Sequence, residues 1–175
     1  PRTTVVGQYQ ALTIAGDTSS SGIFDPSLLR TGANELWMAY SGVDYRRNAQ
    51  SQLVQDVGIS LARSTDNGAT FAKVVSVGVP AAATVTDTDP ARSTCNAATC
   101  IGRWVYETSW LIDDASDPAT SQRYKLFAHK YFLYPPSAEP TRYYLGAIVM
   151  WTAADPAGPW STETPLIGWN LTPPE

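Results

Sequence analysis

Read by its apolar and polar positions, the chain is a series of short alternating runs separated by turn residues. GISLAR, Gly58 to Arg63, alternates with the period of two expected of a strand whose faces meet different surroundings. It leads into STDNGATF, Ser64 to Phe71. There Asp66 and Asn67 can bond their own backbone, and Gly68 accepts positive φ without steric cost. TFAKVVSV, Thr70 to Val77, returns in β-branched residues, so the stretch predicts a β-hairpin. The longest apolar run, YLGAIVMW from Tyr144 to Trp151, predicts a buried strand and is far short of the ~20 residues of a membrane span. Little of the chain has helical periodicity. Short strands alternate with Gly, Pro, Asn, Asp and Ser throughout.

The pattern repeats. IFDPSLLR, Ile23 to Arg30, can be laid on YETSWLID, Tyr106 to Asp113, with Asp25 set on Glu107 and Ser27 on Ser109. ELWMAYSG, Glu35 to Gly42, is laid on KLFAHKYF, Lys125 to Phe132. GISLARSTDNGATF is laid on AIVMWTAADPAGPW, Ala147 to Trp160, which puts Asp66 on Asp155 and Phe71 on Trp160. Two units of about four strands follow, over about 23–78 and 104–168, within a single domain spanning residues 1–175. Each has an acidic first strand, an aromatic second, an apolar third ending in the Asp turn, and a fourth leading out. Repeated four-stranded units with aromatic signatures point to an all-β fold of the β-propeller type.

Composition narrows the function classes. The 175 residues include 43% hydrophobic and 16% charged, enough to bury a core. A net charge of −4 supplies no basic patch to displace phosphate counterions, which argues against a nucleic-acid partner. Cys95 and Cys100, in TCNAATC, are spaced wrongly for a C-x-x-C redox pair, and the lone His129 cannot complete a zinc site. A small disulfide loop in an oxidising compartment is the expectation, with two free thiols as the alternative. The sequon Asn170-Leu171-Thr172 is compatible with secretion, and the expected location is secreted or periplasmic. The start, PRTTVV, with no initiator Met, reads as a processed or trimmed end. The loop acids Asp87 and Asp89 are compatible with calcium, but a polar loop accounts for them, and no cofactor is expected.

STDNGATF resembles the Asp-box of sialidase-type propellers, Ser-x-Asp-x-Gly-x-Thr-aromatic, through Ser64, Asp66, Gly68, Thr70 and Phe71. The box implies a structural hairpin on the rim of a blade. FDPSLL, LWMAYS and WTAADPAGPW resemble five-bladed propeller glycosidases of the arabinanase and β-xylosidase type and their fructan-hydrolysing relatives. A closed ring of that kind would be about twice as long as this chain, so the resemblance implies about two blades plus edges. The partners it implies are a carbohydrate and either the remaining blades or another chain.

Glycoside cleavage needs two carboxyls flanking the scissile bond. By the resemblance, Asp25 is the base or pKa-tuning acid and Glu107 the proton donor, its pKa raised by burial beside another carboxylate. Each also reads as a plain strand-end carboxylate. The third inner-strand acid of the family is not visible in this sequence. Trp110, three residues after Glu107, together with Trp37 and His129, are the candidate substrate contacts; Tyr40, Trp104 and Trp151 offer further rings. A non-catalytic propeller binding glycans or proteins is the competing function. A sialidase is disfavoured because no arginine cluster for a carboxylate ligand is apparent.

Overall fold

The structure, a computed structural model, describes residues 12–47, 51, 53–86, 99–133 and 146–168. Among them the chain is all-β, as the alternation predicts. Its strands are β1 (Ile14–Ala15), β2 (Ile23–Arg30), β3 (Leu36–Arg47), β4 (Leu53–Ser64) and β5 (Phe71–Gly78), then β6 (Ala81–Thr86), β7 (Thr99–Asp113), β8 (Tyr124–Leu133), β9 (Gly146–Ala153) and β10 (Thr164–Gly168). The one departure is a 3-10 turn, Thr120–Gln122, between β7 and β8.

The strands make two five-stranded sheets, ordered β1-β5-β4-β3-β2 and β10-β9-β8-β7-β6. In the first, β2 to β5 form an antiparallel meander and β1 adds to β5 in parallel, Ile14 opposite Phe71. The second is antiparallel throughout. Alternation along β3 and β4 sends Trp37, Ala39, Ile59 and Leu61 to one face and Met38, Tyr40 and Ala62 to the other. The first set meets Tyr106, Leu111, Leu126, Ala128, Val149 and Trp151 of the second sheet in the main core. Burying an aliphatic side chain of this size contributes ~1.5–3 kcal/mol. Gly78 permits the approach, since a Cβ there would stand 2.9 Å from Cγ of Tyr106.

Side-chain hydroxyls tie β7 to the first sheet. Ser41 Oγ accepts from the Thr108 amide at 3.2 Å and Ser27 Oγ from the Leu111 amide at 3.1 Å. Ser109 Oγ donates to the Asp25 carbonyl at 3.3 Å.

The Ser64–Phe71 segment forms the hairpin tip between β4 and β5. Asp66 Oδ1 accepts from Ser64 Oγ (2.7 Å) and the Thr70 amide (2.9 Å), and Oδ2 from Thr70 Oγ1 (2.6 Å). Ser64 Oγ also accepts from the Gly68 amide at 2.8 Å. Gly68 takes φ +92°, and Phe71 folds back among Ile14, Met38, Tyr40 and Ala62. Asp155 caps the corresponding tip after β9, accepting from the Ala157 amide at 2.8 Å, and Trp160 packs back on the main core. With Leu36 opposite Ser64 and Tyr124 opposite Ala153, the two Asp turns occupy equivalent places in their sheets.

Two of the sequence alignments need correction. β2 carries a bulge between Phe24 and Ser27, and β7 one between Glu107 and Trp110. Superposing the bulges sets Glu107 on Phe24 and Asp25 on Thr108, one residue away from the expected pairing. Both central residues have positive φ, 51° at Asp25 and 56° at Thr108. The β3–β8 match slips by two: Trp37 faces Leu29 as Lys125 faces Ile112, so Trp37 rather than Glu35 corresponds to Lys125. A slip of two keeps each side chain on its face, which is why the alternation did not reveal it. The second sheet also begins earlier than expected, because β6 joins its edge. Cys95, Asp87, Asp89, Asn170 and the side chain of Cys100 lie outside the described residues.

Candidate functional site

The two bulges govern where the acidic side chains point. A β-bulge leaves one residue out of the ladder, bends its strand and re-aims the neighbouring side chains. Asp tolerates the left-handed region through its short polar side chain, but β-branched Thr108 is strained there. Its amide is held by Ser41, itself buried. The strained residue directly follows Glu107.

Asp25 and Glu107 line one depression with a volume of about 260 Å³, together with Ser21, Phe24, Ser41, Val43, Tyr45, Gln55 and Val57. One carboxylate comes from each sheet. Asp25 is exposed, and its carboxylate has no hydrogen-bond or ion-pair partner among the described residues. Glu107 is half-buried and held: Oε2 accepts from the Tyr131 hydroxyl at 3.0 Å, and Oε1 lies 3.7 Å from His129 Nδ1. The His129 ring stacks on Tyr131 at 5.1 Å and 22° between planes.

This setting overturns one expectation. The neighbouring His129 imidazole and the Tyr131 hydroxyl hold the Glu107 carboxyl below its ordinary range, outweighing the opposing effect of burial. At 3.7 Å the imidazole is beyond direct hydrogen-bond reach of Oε1, so the Tyr131 bond is the firmer of the two contacts. Glu107 is therefore an anion at neutral pH, whereas a resting proton donor needs a raised pKa.

The aromatic candidates separate. Trp37 is 3% exposed, a core ring whose indole N–H donates to Glu35 Oε1 at 3.1 Å, so it offers no stacking face. Tyr40 and Trp151 are buried as well. Trp110 is 65% exposed but does not line the depression. His129 stands beside Glu107, at the site though not in its lining. Three residues that sequence reading passed over are present instead: Phe24, Tyr131 and Tyr45. Phe24 adjoins Asp25 in the chain and was legible on that ground. Tyr131 is reached only through the β7–β8 register, in which Glu107 faces His129.

No group of His, Cys, Asp and Glu among the described residues is arranged to hold a metal ion, and no helix there is long and apolar enough to cross a membrane. No family model, curated protein or solved structure matches the chain.

Proposed function

We propose that the chain is part of a secreted or periplasmic β-propeller and that its depression hydrolyses glycosidic bonds of an oligosaccharide or polysaccharide. The observation that carries this reading is the convergence of Asp25 and Glu107, from bulges at matching places in two repeated sheets, on one depression. Glycoside hydrolysis asks for two carboxyls about a single bond, in different protonation states. The ionised Glu107 suits the base or nucleophile, the reverse of the role the family resemblance implies. Asp25 is then the second carboxyl of the pair, supplied by the other sheet.

The propeller reading draws support from the way the sheets pack. Ala39, Ile59 and Leu61 are fully buried against the second sheet. The ladder pairings match them to Phe127, Ile148 and Met150 on the far face of that sheet. There Ile148 is 39% exposed, and Phe127 and Met150 are partly so. A further blade, or another chain, would cover that face as the second sheet covers the first. The Ser64–Phe71 tip serves this fold as an Asp-box, a structural hairpin remote from the chemistry.

Asp25→Asn and Glu107→Gln in the full protein, assayed on neutral oligosaccharides and on activated aryl glycosides, test the roles. Loss of the donor should spare aryl leaving groups, which need little protonation, whereas loss of the base or nucleophile should abolish turnover of both. Full activity in both variants would place the site elsewhere. The low pKa of Glu107 also favours a second reading, a glycan-binding propeller without catalysis. Sugar affinity that depends on both residues, with no turnover in the wild type, would establish it.

A further inference from the structure

The walls of the depression say more about its ligand, on the premise that it is a sugar site. β2 pairs with β3 only as far as Ile23 opposite Gly42, while β3 and β4 stay paired to Arg47 opposite Leu53. The β3–β4 hairpin thus overhangs the start of β2. Along the overhang, Val43 and Tyr45, with their cross-strand partners Val57 and Gln55, face the depression. Asp44 and Asp56 face the opposite side. Val43 and Val57 are buried and fix the base of this wall. Tyr45, 44% exposed, and Gln55 stand farther along it, and Phe24, 50% exposed, adjoins Asp25 on β2.

We propose that Tyr45 and Gln55 select the ligand: a single uncharged sugar ring, packed on Tyr45, hydrogen-bonded by Gln55 and laid across Asp25 and Glu107. The size fits one ring, since 260 Å³ falls below the ~300–1,000 Å³ of sites for drug-sized ligands. The charge excludes uronic and sulfated sugars. Among the described lining residues there are two carboxylates and no cation, so a further anion laid against them is repelled by both. The arginines of the overhang are engaged, Arg46 by Asp56 and Arg47 by the Ser51 carbonyl. An aromatic face and an amide that both donates and accepts match a ring with C–H faces and hydroxyl edges.

The test is calorimetric binding of xylohexaose, arabinohexaose and oligogalacturonate to the full chain and its variants. One of the neutral sugars should bind and oligogalacturonate should not. Tyr45→Ala and Gln55→Ala should each raise the neutral sugar's Kd about tenfold, and Tyr45→Phe much less. Both replaced side chains are at least partly exposed, so the variants should melt with the wild type. Gln55→Lys should admit oligogalacturonate. If binding depends on Asp25 and Glu107 but not on Tyr45 or Gln55, the selection inference fails and the sugar site stands. Tight binding of oligogalacturonate to the wild type also overturns the inference. If none of the three sugars binds, the sugar site itself is refuted, and the inference falls with it.

Discussion

The Tyr131 hydroxyl stands 3.0 Å from Oε2 of Glu107, and the Tyr131 ring carries the His129 imidazole stacked on it. The three side chains alternate with the ladder: Glu107 faces His129 across β7–β8, and Tyr131 follows two residues on, on the same face. Removing the hydroxyl should free Glu107 to titrate nearer its ordinary 4.5. Tyr131→Phe is expected to raise the Glu107 midpoint in a carboxyl NMR titration. It should also cost about 1.5 kcal/mol, as for a hydrogen bond to a charged acceptor. An unmoved midpoint would show that the bond does not govern the charge.

The sign of the pH dependence follows from the same shift. Glu107 has a depressed folded pKa, so its contribution to stability is complete above 4.5 and is lost as pH falls through the lowered value. Asp66 behaves likewise. Bonds from the Thr70 hydroxyl and amide and from Ser64 lower its pKa from 3.8 to about 2. The hairpin should therefore loosen between those two values, and Asp66→Asn should abolish that step in an acid melt monitored by amide exchange. Ser64→Ala, which strips a buried hydroxyl from the same turn, should cost about 1–2 kcal/mol at neutral pH.

At Thr108 the backbone is the liability. A β-branched residue at φ 56° sits where left-handed conformations cost ~1–2 kcal/mol, and no hydrogen bond of its hydroxyl offsets this among the described residues. Thr108→Asn is expected to raise stability by about 1 kcal/mol in denaturant unfolding while keeping the bulge. A loss of stability would mean that the threonine side chain contributes a contact that outweighs the strain. Activity that falls while stability rises would tie the strain to the aim of Glu107.

Alternation and turn chemistry made much of the fold legible. The Ser64–Phe71 tip, its counterpart at Asp155, and the strands leading into both lie where the apolar pattern puts them. Two things were hidden. A bulge has no compositional mark, so the positive φ at Asp25 and Thr108 could not be read from the residues. Because both strands carry it at the same place, it shifts neither stretch against the other. Trp37 likewise reads as an aromatic ring beside a strand start, and only the packing of two sheets shows that its ring is core. The state of Glu107 depends on His129 and Tyr131, the latter twenty-four residues away in the chain, and both are neighbours through the β7–β8 ladder.

The hydroxyl links between the sheets are testable at Ser27. Its Oγ accepts from the amide of Leu111, a core residue 3% exposed. Ser27→Ala leaves that amide without this acceptor and should cost about 1–3 kcal/mol. The Leu111 amide should exchange faster in the variant. An unchanged exchange rate would show that the Ser27 link does not protect the Leu111 amide.

The far face of the second sheet carries the last prediction. Ile148, Phe127 and Met150 take the places that Ile59, Ala39 and Leu61 hold in the first sheet, where all three are fully buried. If the far face is an interface of the same kind, the chain should associate at micromolar concentration, through a further sheet or another chain. A charge at Ile148 should break that association, because burying an unpaired carboxylate costs several kcal/mol. Light scattering should then show Ile148→Asp at 18.9 kDa and the wild type above it. A face that is simply solvated predicts the opposite: a wild-type monomer, and an Ile148→Asp variant within about 0.5 kcal/mol of it in stability. That result would remove the packing argument for a propeller and leave two packed sheets with one exposed apolar face.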